Sequence, residues 1–439
     1  MKQLAIITDD LTSATDCGIQ VARSGLDTLV LLGEYEADVN THGASVISID
    51  TDTRSLPPSK AYRIVKEATI NIQADGYENI YKSLDSTLRG NLGAEIDAVM
   101  DVYGFDFAVV APAFPHYGRT TINGRHYLRG VPLTQTEFAN DPKSPVKEDD
   151  LVKLFSSQSR RGAGLLKLDT LRSGVTAVSE RISSLRSQGV ELVVFDAQVE
   201  EDLDRIVQTV SKTGRRVLWV GSTGLARCVP QALNIQTRKT PRKDTLSGRS
   251  RGMLVSGSTS EITETQIDIL KTQPGVFAVE MKPLEIISSG ERAREEVERC
   301  RSQLVDALKK GNDIVLHVPT SRAEVVTTKA EGRELGLDEE QVPIIISEAL
   351  AEITRQVVDA FKLRGLILTG GDTAKTVCTR LGGIGIELLK EVEPGIPLGY
   401  LVGPAELLVV TKAGGFGTPR VLVNSLKMLK GEQGITRIH

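Results

Sequence analysis

Adjacent aspartates are the first feature of this chain that could do chemistry. Asp9 and Asp10 follow the short apolar run Leu4–Ile7 and precede a segment with helical periodicity. In an open α/β sheet, ligands bind beyond the carboxyl ends of the strands, so carboxylates there can hold substrate hydroxyls, bind a metal or act as a base. Helix capping, the alternative interpretation, explains only one of the pair. We expect a functional role for at least one of them.

A second polar segment, Tyr81–Asn91, also follows a predicted strand and precedes a helical pattern. The two cations of this segment suit a carboxylate group, its aspartate can accept a hydrogen bond, and its hydroxyls can donate or accept one. Surface salt bridges are the alternative, but strand ends in such sheets face the ligand crevice. Substrate binding is therefore expected at Lys82, Asp85, Ser86, Thr87 and Arg89.

Two more segments end predicted strands. Asp50–Arg54 places the guanidinium of Arg54 where it can clamp an anion. Ala111–Thr120 is predicted to be a rigid, irregular loop with little helical or strand propensity. Such a loop at a strand end often forms the wall of a functional site. His116 and His126 lie in or near it, and the sequence gives neither a role.

Three glycine-containing turns follow apolar runs in the second half of the chain. They are Ser256–Ser260, Thr369–Ala374 and Lys412–Gly417. Glycine lets the backbone approach a phosphate, and a helix N-terminus supplies oriented N–H groups and a positive dipole end. One such turn is a weak signal, but three predict a nucleotide polyphosphate site. The chain has neither a GxxxxGK[ST] nor a GxGxxG motif, so a P-loop and a dinucleotide fingerprint are unsupported.

Short apolar runs alternate with segments of helical period, which predicts an α/β fold with mostly parallel sheets flanked by helices. In the first half the predicted strands are 4–7, 28–32, 45–49, 79–81, 107–111, 164–168, 191–195 and 216–220, and the predicted helices are 12–23, 59–74, 93–102 and 171–187. In the second half the predicted strands are 253–255, 276–279, 313–318, 365–368 and 405–411, and the predicted helices are 260–271, 291–310, 347–361 and 419–429.

A polar, basic stretch without apolar period separates the two halves and is interpreted as a solvated linker. The sequence thus predicts one domain at 1–235, a linker at 236–251 and a second domain at 252–439. An active-site cleft is expected between the two domains, whose closure would exclude water.

Charge and composition exclude several classes of function. The net charge is −4 and the pI about 5.9, so no basic surface favours nucleic acid or anionic membranes. The four cysteines are far apart in sequence, which argues against a disulfide framework or a thiolate zinc site. The sequence contains no signal-peptide core and no apolar run of ~18 residues. A cytoplasmic enzyme is expected.

The motifs and their order resemble the four-carbon acid sugar kinase family. They are TDDLTSATD at 8–16, YKSLDSTLRGN at 81–91, APAFPHYGRT at 111–120, TGGDTA at 369–374 and KAGGFG at 412–417. The likeness spans roughly residues 4–430 and is closest to the D-threonate and D-erythronate kinases. It implies transfer of the ATP γ-phosphoryl group to the terminal 4-hydroxyl of a tetronate, with Mg²⁺ as cofactor. The first domain would bind the sugar acid and the second the nucleotide.

The residues and the resemblance together give the expected site. Expected substrate contacts are Asp9, Asp10, Arg54, Lys82, Ser83, Asp85, Ser86, Thr87 and Arg89. Expected nucleotide contacts are Ser258, Gly370, Gly371, Asp372, Thr373, Gly414 and Gly415. No protein ligand is assigned to the metal.

Phosphoryl transfer depends on positioning and charge neutralisation more than on covalent chemistry. We expect Arg54, Lys82 and Arg89 to anchor the substrate carboxylate, and Asp10 or Asp85 to accept the proton of the attacking hydroxyl. The glycine turns would hold the phosphates, and Mg²⁺ would bridge the β- and γ-oxygens.

Other functions fit parts of the pattern. A 3-oxo-tetronate could replace the tetronate, and a nucleotide-gated sugar-acid-binding protein would bind both ligands without turnover. An NAD-dependent dehydrogenase would need the dinucleotide fingerprint that the chain lacks. The sequence does not select a stereoisomer. A homodimer is a reasonable expectation for an α/β enzyme of this kind.

Overall fold

The structure, a computed structural model, describes residues 2–33, 35, 41, 43–141, 144–233, 235, 246, 248, 250–288, 290–338 and 340–432. The chain divides into two units, Met1–Thr240 and Pro241–His439. Most of the predicted linker 236–251 lies outside the described residues, so the predicted domain boundaries stay a prediction. Within the described ranges, no helix is long and apolar enough to cross a membrane.

The first unit alternates strands with helices. Its strands are β1 (Leu4–Thr8), β2 (Thr28–Leu31), β3 (Val46–Asp50), β4 (Ile80–Ser83), β5 (Phe107–Ala111), β6 (Arg119–Ile122), β7 (Arg125–Leu128), β8 (Val131–Pro132), β9 (Gly162–Leu166), β10 (Val190–Phe195) and β11 (Val217–Gly221). Its helices are α1 (Leu11–Ala22), α2 (Pro58–Ala74), α3 (Leu92–Val102), α4 (Leu151–Gln158), α5 (Leu168–Arg172), α6 (Val175–Ser187), α7 (Glu200–Ser211), α8 (Thr223–Ala226) and α9 (Val229–Ala232).

Most of these strands form a parallel sheet in the order β2-β3-β1-β4-β11-β5-β10-β9. Strands such as β1 and β5 are buried at every position, because crossover helices cover both faces of a parallel sheet. Strands β6, β7 and β8 pair antiparallel in a small separate sheet.

The second unit builds its own sheet. Its strands are β12 (Gly252–Ser256), β13 (Val276–Glu280), β14 (Asp313–His317), β15 (Gly365–Thr369), β16 (Gly385–Glu393), β17 (Ile396–Val402) and β18 (Leu408–Lys412). Its helices are α10 (Glu261–Lys271), α11 (Pro283–Ile287), α12 (Gly290–Lys309), α13 (Arg322–Glu334), α14 (Gln341–Ala360), α15 (Gly371–Arg380) and α16 (Val421–Lys430). The strand order is β13-β14-β12-β15-β18-β17-β16, parallel from β13 to β18 and antiparallel at β17 and β16. The predicted fold class, α/β with mostly parallel sheets flanked by helices, is confirmed.

Several local predictions differ from the structure. The predicted helix 171–187 is divided into α5 and α6, because Gly174 adopts a φ of +98° between them. The predicted irregular loop Ala111–Thr120 ends early, since β6 begins at Arg119. Helix α13 and the strands β16 and β17 were not predicted. Pro397 and Gly399 weaken the strand signal of β17, and β-branched residues weaken the helical signal of α13.

His126 on β7 links the small sheet to the segment that follows β4. The ring is fully buried; its Nε2 lies 3.0 Å from the carbonyl oxygen of Ser86 and its Nδ1 3.0 Å from Oγ1 of Thr121. A carbonyl can only accept, so the neutral ring donates from Nε2 and accepts at Nδ1. Burial lowers the pKa of His126 from 6.5 to about 4. This histidine therefore has a structural role: its hydrogen bond fixes the backbone at Ser86.

His126 should make the protein less stable in mild acid. The unfolded chain takes up a proton near pH 6.5, whereas the folded protein takes it up only near a pKa of about 4. The stability that His126 contributes is full above the unfolded pKa and is lost as the pH falls, by about 2 kcal/mol at about pH 5. Denaturant unfolding at about pH 7 and about pH 5 measures this loss.

The variant His126→Gln should show a smaller drop between the two pH values, whereas the control His116→Gln, an exposed position, should keep the full drop. An equal drop in all three proteins would contradict this role of His126.

Candidate active site

Strand order brings the polar segments of the first unit to one edge of its sheet. β1 lies between β3 and β4, with Thr8 opposite Asp50 and Ile7 opposite Lys82. The residues that follow these three strands are therefore neighbours, although they are far apart in sequence. This edge is the usual ligand-binding edge of a parallel sheet.

Arg54 joins the two aspartates that follow β1. Its Nε and Nη2 donate to the two carboxylate oxygens of Asp9 at 2.8 and 2.9 Å, and its Nη1 forms an ion pair with Asp10. Nη2 also lies 3.3 Å from Oγ of Ser13. The Asp9 side chain is only 2% exposed, so this bidentate pairing compensates a buried charge.

Asp10 caps helix α1 and its side chain also remains partly accessible to solvent. It is the N-cap of α1, where its Oδ1 accepts the backbone N–H of Ser13 at 2.7 Å. Its side chain is 29% exposed, far more than that of Asp9. Burial raises the pKa of Asp10, and the charge of Arg54 opposes that rise. Asp10 thus combines access from solvent with increased basicity.

Asp85 is held by its own loop. Its Oδ2 accepts hydrogen bonds from Oγ1 of Thr87 and from Nε of Arg89, both at 2.6 Å. Burial alone would raise the pKa of Asp85, but the guanidinium groups of Arg89 and Arg54 lower it well below the usual range. Arg89 also reaches Asp141 through its Nη1 at 3.1 Å. Asp85 is therefore a weak base whose geometry is fixed.

The structure places two of the expected substrate contacts in the core. The Lys82 side chain is fully buried, and its Nζ lies 2.8 Å from Oε2 of Glu95 and donates to the carbonyl oxygen of Ser83 at 2.6 Å. Ser83 is 1% exposed. Ser86 is half-buried at the same edge, and within the described part of the chain its hydroxyl has no partner. Lys82 therefore stabilises this edge from inside the core, through its ion pair with Glu95 on α3.

Strand order also brings together the three glycine turns of the second unit. β15 lies between β12 and β18, so the turns that follow these strands are adjacent. Ser256 and Thr369, the last residues of β12 and β15, are hydrogen bonded through their hydroxyls at 2.7 Å. Oγ1 of Thr263 donates to the carbonyl oxygen of Gly414 at 2.9 Å and so ties the first turn's helix to the third turn.

The glycines in these turns leave room that side chains would fill. A Cβ at Gly257 would clash with Oγ1 of Thr373, and one at Gly414 would lie 2.6 Å from Oγ of Ser258. Gly370 has a φ of +96°, in the left-handed region where other residues are strained. These three positions therefore require glycine for the turns to pack as they do.

Lys412, at the end of β18, was not among the expected contacts. Its ammonium group donates to the carbonyl oxygens of Ala413 at 2.8 Å and Gly414 at 3.0 Å and to Oγ1 of Thr263 at 3.2 Å. Burial lowers the pKa of Lys412 to about 8. In the described residues it forms no ion pair, so it leaves a positive charge beneath the third turn.

A cavity of about 290 Å³ opens beside the first two turns. Its polar wall contains Gly257, Thr259, Gly370, Gly371, Asp372 and Thr373. Its apolar wall contains Pro283, Val318, Pro319, Val325, Val342, Pro343 and Ile346. A pocket that combines glycine turns and a helix N-terminus with apolar side chains suits a nucleotide. The sequence did not predict the apolar wall, because its residues come from separate segments: α11, the turn after β14, α13 and α14.

The described residues contain no cluster of three or more His, Cys, Asp or Glu side chains arranged to hold a metal. Mg²⁺ does not need one, because it is commonly bound by one or two carboxylates together with substrate phosphates. Asp372 is exposed at the rim of the cavity, and its carboxylate makes no hydrogen bond or ion pair within the described part. This donor fits a nucleotide-bound Mg²⁺.

Comparison with known proteins assigns each unit to a domain type. The model of a sugar-binding N-terminal domain matches residues 4–229. The model of a nucleotide-binding C-terminal domain matches residues 253–422. Together these models match most of the chain.

Curated relatives align with the chain over nearly its whole length. The D-threonate kinase of Salmonella typhimurium LT2 is 32% identical, with 97% of both chains covered. The D-erythronate kinase of Heliobacterium modesticaldum is 32% identical over 95% of this chain and 94% of the relative. The 3-oxo-tetronate kinase of Pseudomonas savastanoi pv. phaseolicola is 28% identical over 98% and 97%.

The fold has a solved counterpart in a structure from Salmonella typhimurium LT2. It superposes with a TM-score of 0.81 over 97% of this chain and 99% of that chain, at 22% identity, which shows a shared fold. Both domain models and the full-length relatives lead to one assignment: the chain belongs to the four-carbon acid sugar kinase family.

Proposed function

We propose that this protein is an ATP-dependent kinase that phosphorylates the terminal 4-hydroxyl of a four-carbon sugar acid such as D-threonate or D-erythronate. The observation that carries the proposal is the presence of two distinct sites in one chain. The first unit gathers carboxylates and hydroxyls at a strand edge, and the second places three glycine turns side by side, two of which line a nucleotide-sized cavity. The names of the full-length relatives support the same chemistry.

The second unit supplies the nucleotide contacts. We assign the phosphates to the backbone of Gly370, Gly371 and Gly414, with Ser258 and Thr373 as hydroxyl donors beside them. The α15 N-terminus adds its positive dipole end to these N–H groups. The adenine ring lies against the apolar wall of the cavity. Gly415, next to open space, leaves the third turn accessible.

Asp10 is the stronger candidate for the base that accepts the proton of the attacking hydroxyl. A general base must be ionised, accessible and more basic than an ordinary carboxylate. Asp10 is partly exposed and its pKa is raised, whereas Asp85 is buried and its pKa is lowered. Asp85 then positions Arg89 and Thr87 for contact with the sugar-acid hydroxyls.

Asp9 and Arg54 hold Asp10 in place, while Ser86 offers the substrate a hydroxyl that has no partner among the described residues. Lys82 and Ser83 contribute through the backbone they fix. Asp372 would hold Mg²⁺ together with the phosphates, and the ion would supply charge neutralisation on the triphosphate. No other part of the mechanism requires a metal ligand from the protein.

Substrate choice within the family separates the remaining alternatives. A 3-oxo-tetronate kinase is among the relatives, at lower identity than the D-threonate and D-erythronate kinases. This order favours a tetronate as acceptor. A nucleotide-gated binding protein would bind the same two ligands and release no ADP.

A coupled ADP-release assay over a panel of tetronates tests the function. We expect sugar-acid-dependent ADP release with D-threonate or D-erythronate, at least about tenfold above 3-oxo-tetronates in kcat/KM, and the phosphate on the terminal oxygen by NMR. Binding of both ligands without ADP release would favour the binding protein and contradict the kinase.

Substitution of Asp10 and of Asp85 should change different kinetic parameters. Asp10→Asn keeps the helix cap, because asparagine also caps helices, but it removes the base and should lower kcat by about 10²- to 10⁴-fold. Asp85→Asn should mainly raise KM for the sugar acid, since Arg89 loses its charged partner and only one acceptor oxygen remains for Arg89 and Thr87. Steady-state kinetics with Asp169→Asn, an exposed control on α5, separates these effects from a general loss.

The pH dependence of kcat provides a second test of Asp10 as the general base. kcat of the unaltered protein should fall as the pH drops through the raised pKa of Asp10, because the protonated carboxyl cannot accept a proton. Asp85→Asn should keep this acid limb and Asp10→Asn should lose it. Normal kcat with an intact acid limb in Asp10→Asn would refute the assignment.

Gly371→Val should separate the two ligands. The valine side chain would project at the first residue of α15, on the cavity wall, and should weaken ATP binding by about tenfold or more. Calorimetry should find the affinity for the sugar acid unchanged. Thr379→Val, at an exposed position of the same helix, is the matched control. A loss confined to the sugar acid would invert the roles of the two units.

A further inference from the structure

Among the described residues, one cation near the acidic edge of the first unit has no ion-pair partner. Arg119 is the first residue of β6, in the segment that the sequence marked as the wall of a site. Its Nε is buried, and no hydrogen-bond partner for it lies in the part of the chain that the structure describes. Across the described residues, its guanidinium group makes neither a hydrogen bond nor an ion pair; its recorded contact is with the Tyr117 ring, 5.5 Å from the ring centroid.

The strand register directs Arg119 towards the Asp85 loop. Arg119 and Thr121 are two residues apart on β6, so their side chains lie on the same face. Thr121 is opposite His126 and contacts its ring, and that ring reaches the carbonyl oxygen of Ser86. The face that carries Arg119 is therefore the face that meets the substrate edge.

Electrostatics agree with this placement. Burial lowers the pKa of Arg119; the negative charge of Asp85 opposes the shift, and the positive charges of Arg129 and Arg89 add to it. The guanidinium group is thus close enough to sense both members of the Asp85–Arg89 pair. It is a partly buried cation that those neighbours do not neutralise, a state that an incoming anion would relieve.

The other cations at this edge are already engaged. Arg54 is neutralised by Asp9 and Asp10, and Arg89 by Asp85 and Asp141. Lys82 is paired with Glu95 in the core. The sequence expected these three to anchor the substrate carboxylate, but the charge of each is already balanced by an acidic partner.

We propose that Arg119 binds the carboxylate of the sugar-acid substrate. The proposal rests on the proposed function and adds the residue that distinguishes an acid from a neutral sugar. A guanidinium group can form two parallel hydrogen bonds to a carboxylate, which fixes one end of the substrate. Asp10 and the hydroxyl-bearing residues then act on the rest of the molecule.

Calorimetry with the full chain tests this role. D-threonate and D-erythronate are the charged probes, and the neutral tetritols D-threitol and erythritol are the uncharged ones. Arg119→Gln should weaken the acids by about 10- to 100-fold and leave the tetritols unchanged. Arg119→Lys should lose less, because it keeps the charge. Arg125→Gln, on the neighbouring strand and already paired with Asp149, should bind the acids normally.

Thermal unfolding without ligand gives a second readout. Arg119→Gln should be as stable as the unaltered protein or more stable, since it removes an uncompensated charge; a purely structural arginine would show the opposite.

Equal affinity of Arg119→Gln and the unaltered protein for the acids, with ADP release intact, would overturn this inference alone. Failure of the unaltered protein to bind or phosphorylate any tetronate would overturn the proposed function and this inference together.

Discussion

The guanidinium group of Arg54, shared between two carboxylates, is the interaction on which the first unit's site depends. Asp9 is almost fully buried, and an unpaired charge there would cost several kcal/mol. The bidentate pairing removes that cost and leaves Asp10 with one oxygen capping α1 and the other facing Arg54. Because β3 and β1 are parallel neighbours, this contact forms only when the sheet has its observed register. Fold and site are therefore specified together.

The second unit also gathers its candidate ligand-binding residues at the carboxyl ends of parallel strands, but these residues are of a different kind. Its adjacent strand ends present backbone N–H groups instead of carboxylates, and glycine lets the three turns pack closely. Lys412 adds a buried positive charge that is saturated by carbonyl and hydroxyl oxygens, so it stiffens the third turn while it favours an anion nearby. The proposed function uses both features, the acidic edge of the first unit for the hydroxyl and the glycine turns of the second for the phosphates.

The sequence predicted the fold class and most elements, because buried parallel strands and their crossover helices leave strong apolar patterns. It also identified the polar segments at the strand ends. It could not show which cations would be neutralised. Lys82 and Arg119 look equivalent in sequence, yet one meets Glu95 in α3 and the other meets no acid in the described ranges. Charge compensation depends on contacts between distant segments, which residue type and spacing do not encode.

The central claim is that the two ligands have separate sites, the nucleotide in the second unit and the sugar acid in the first. Hydrogen exchange by mass spectrometry on the full chain, with a non-hydrolysable ATP analogue and Mg²⁺ or with D-erythronate, tests it directly. We predict that the nucleotide protects amides at 256–260, 369–374 and 412–417, and that the sugar acid protects those at 9–13, 53–54 and 84–90. Nucleotide protection confined to the first unit would contradict it.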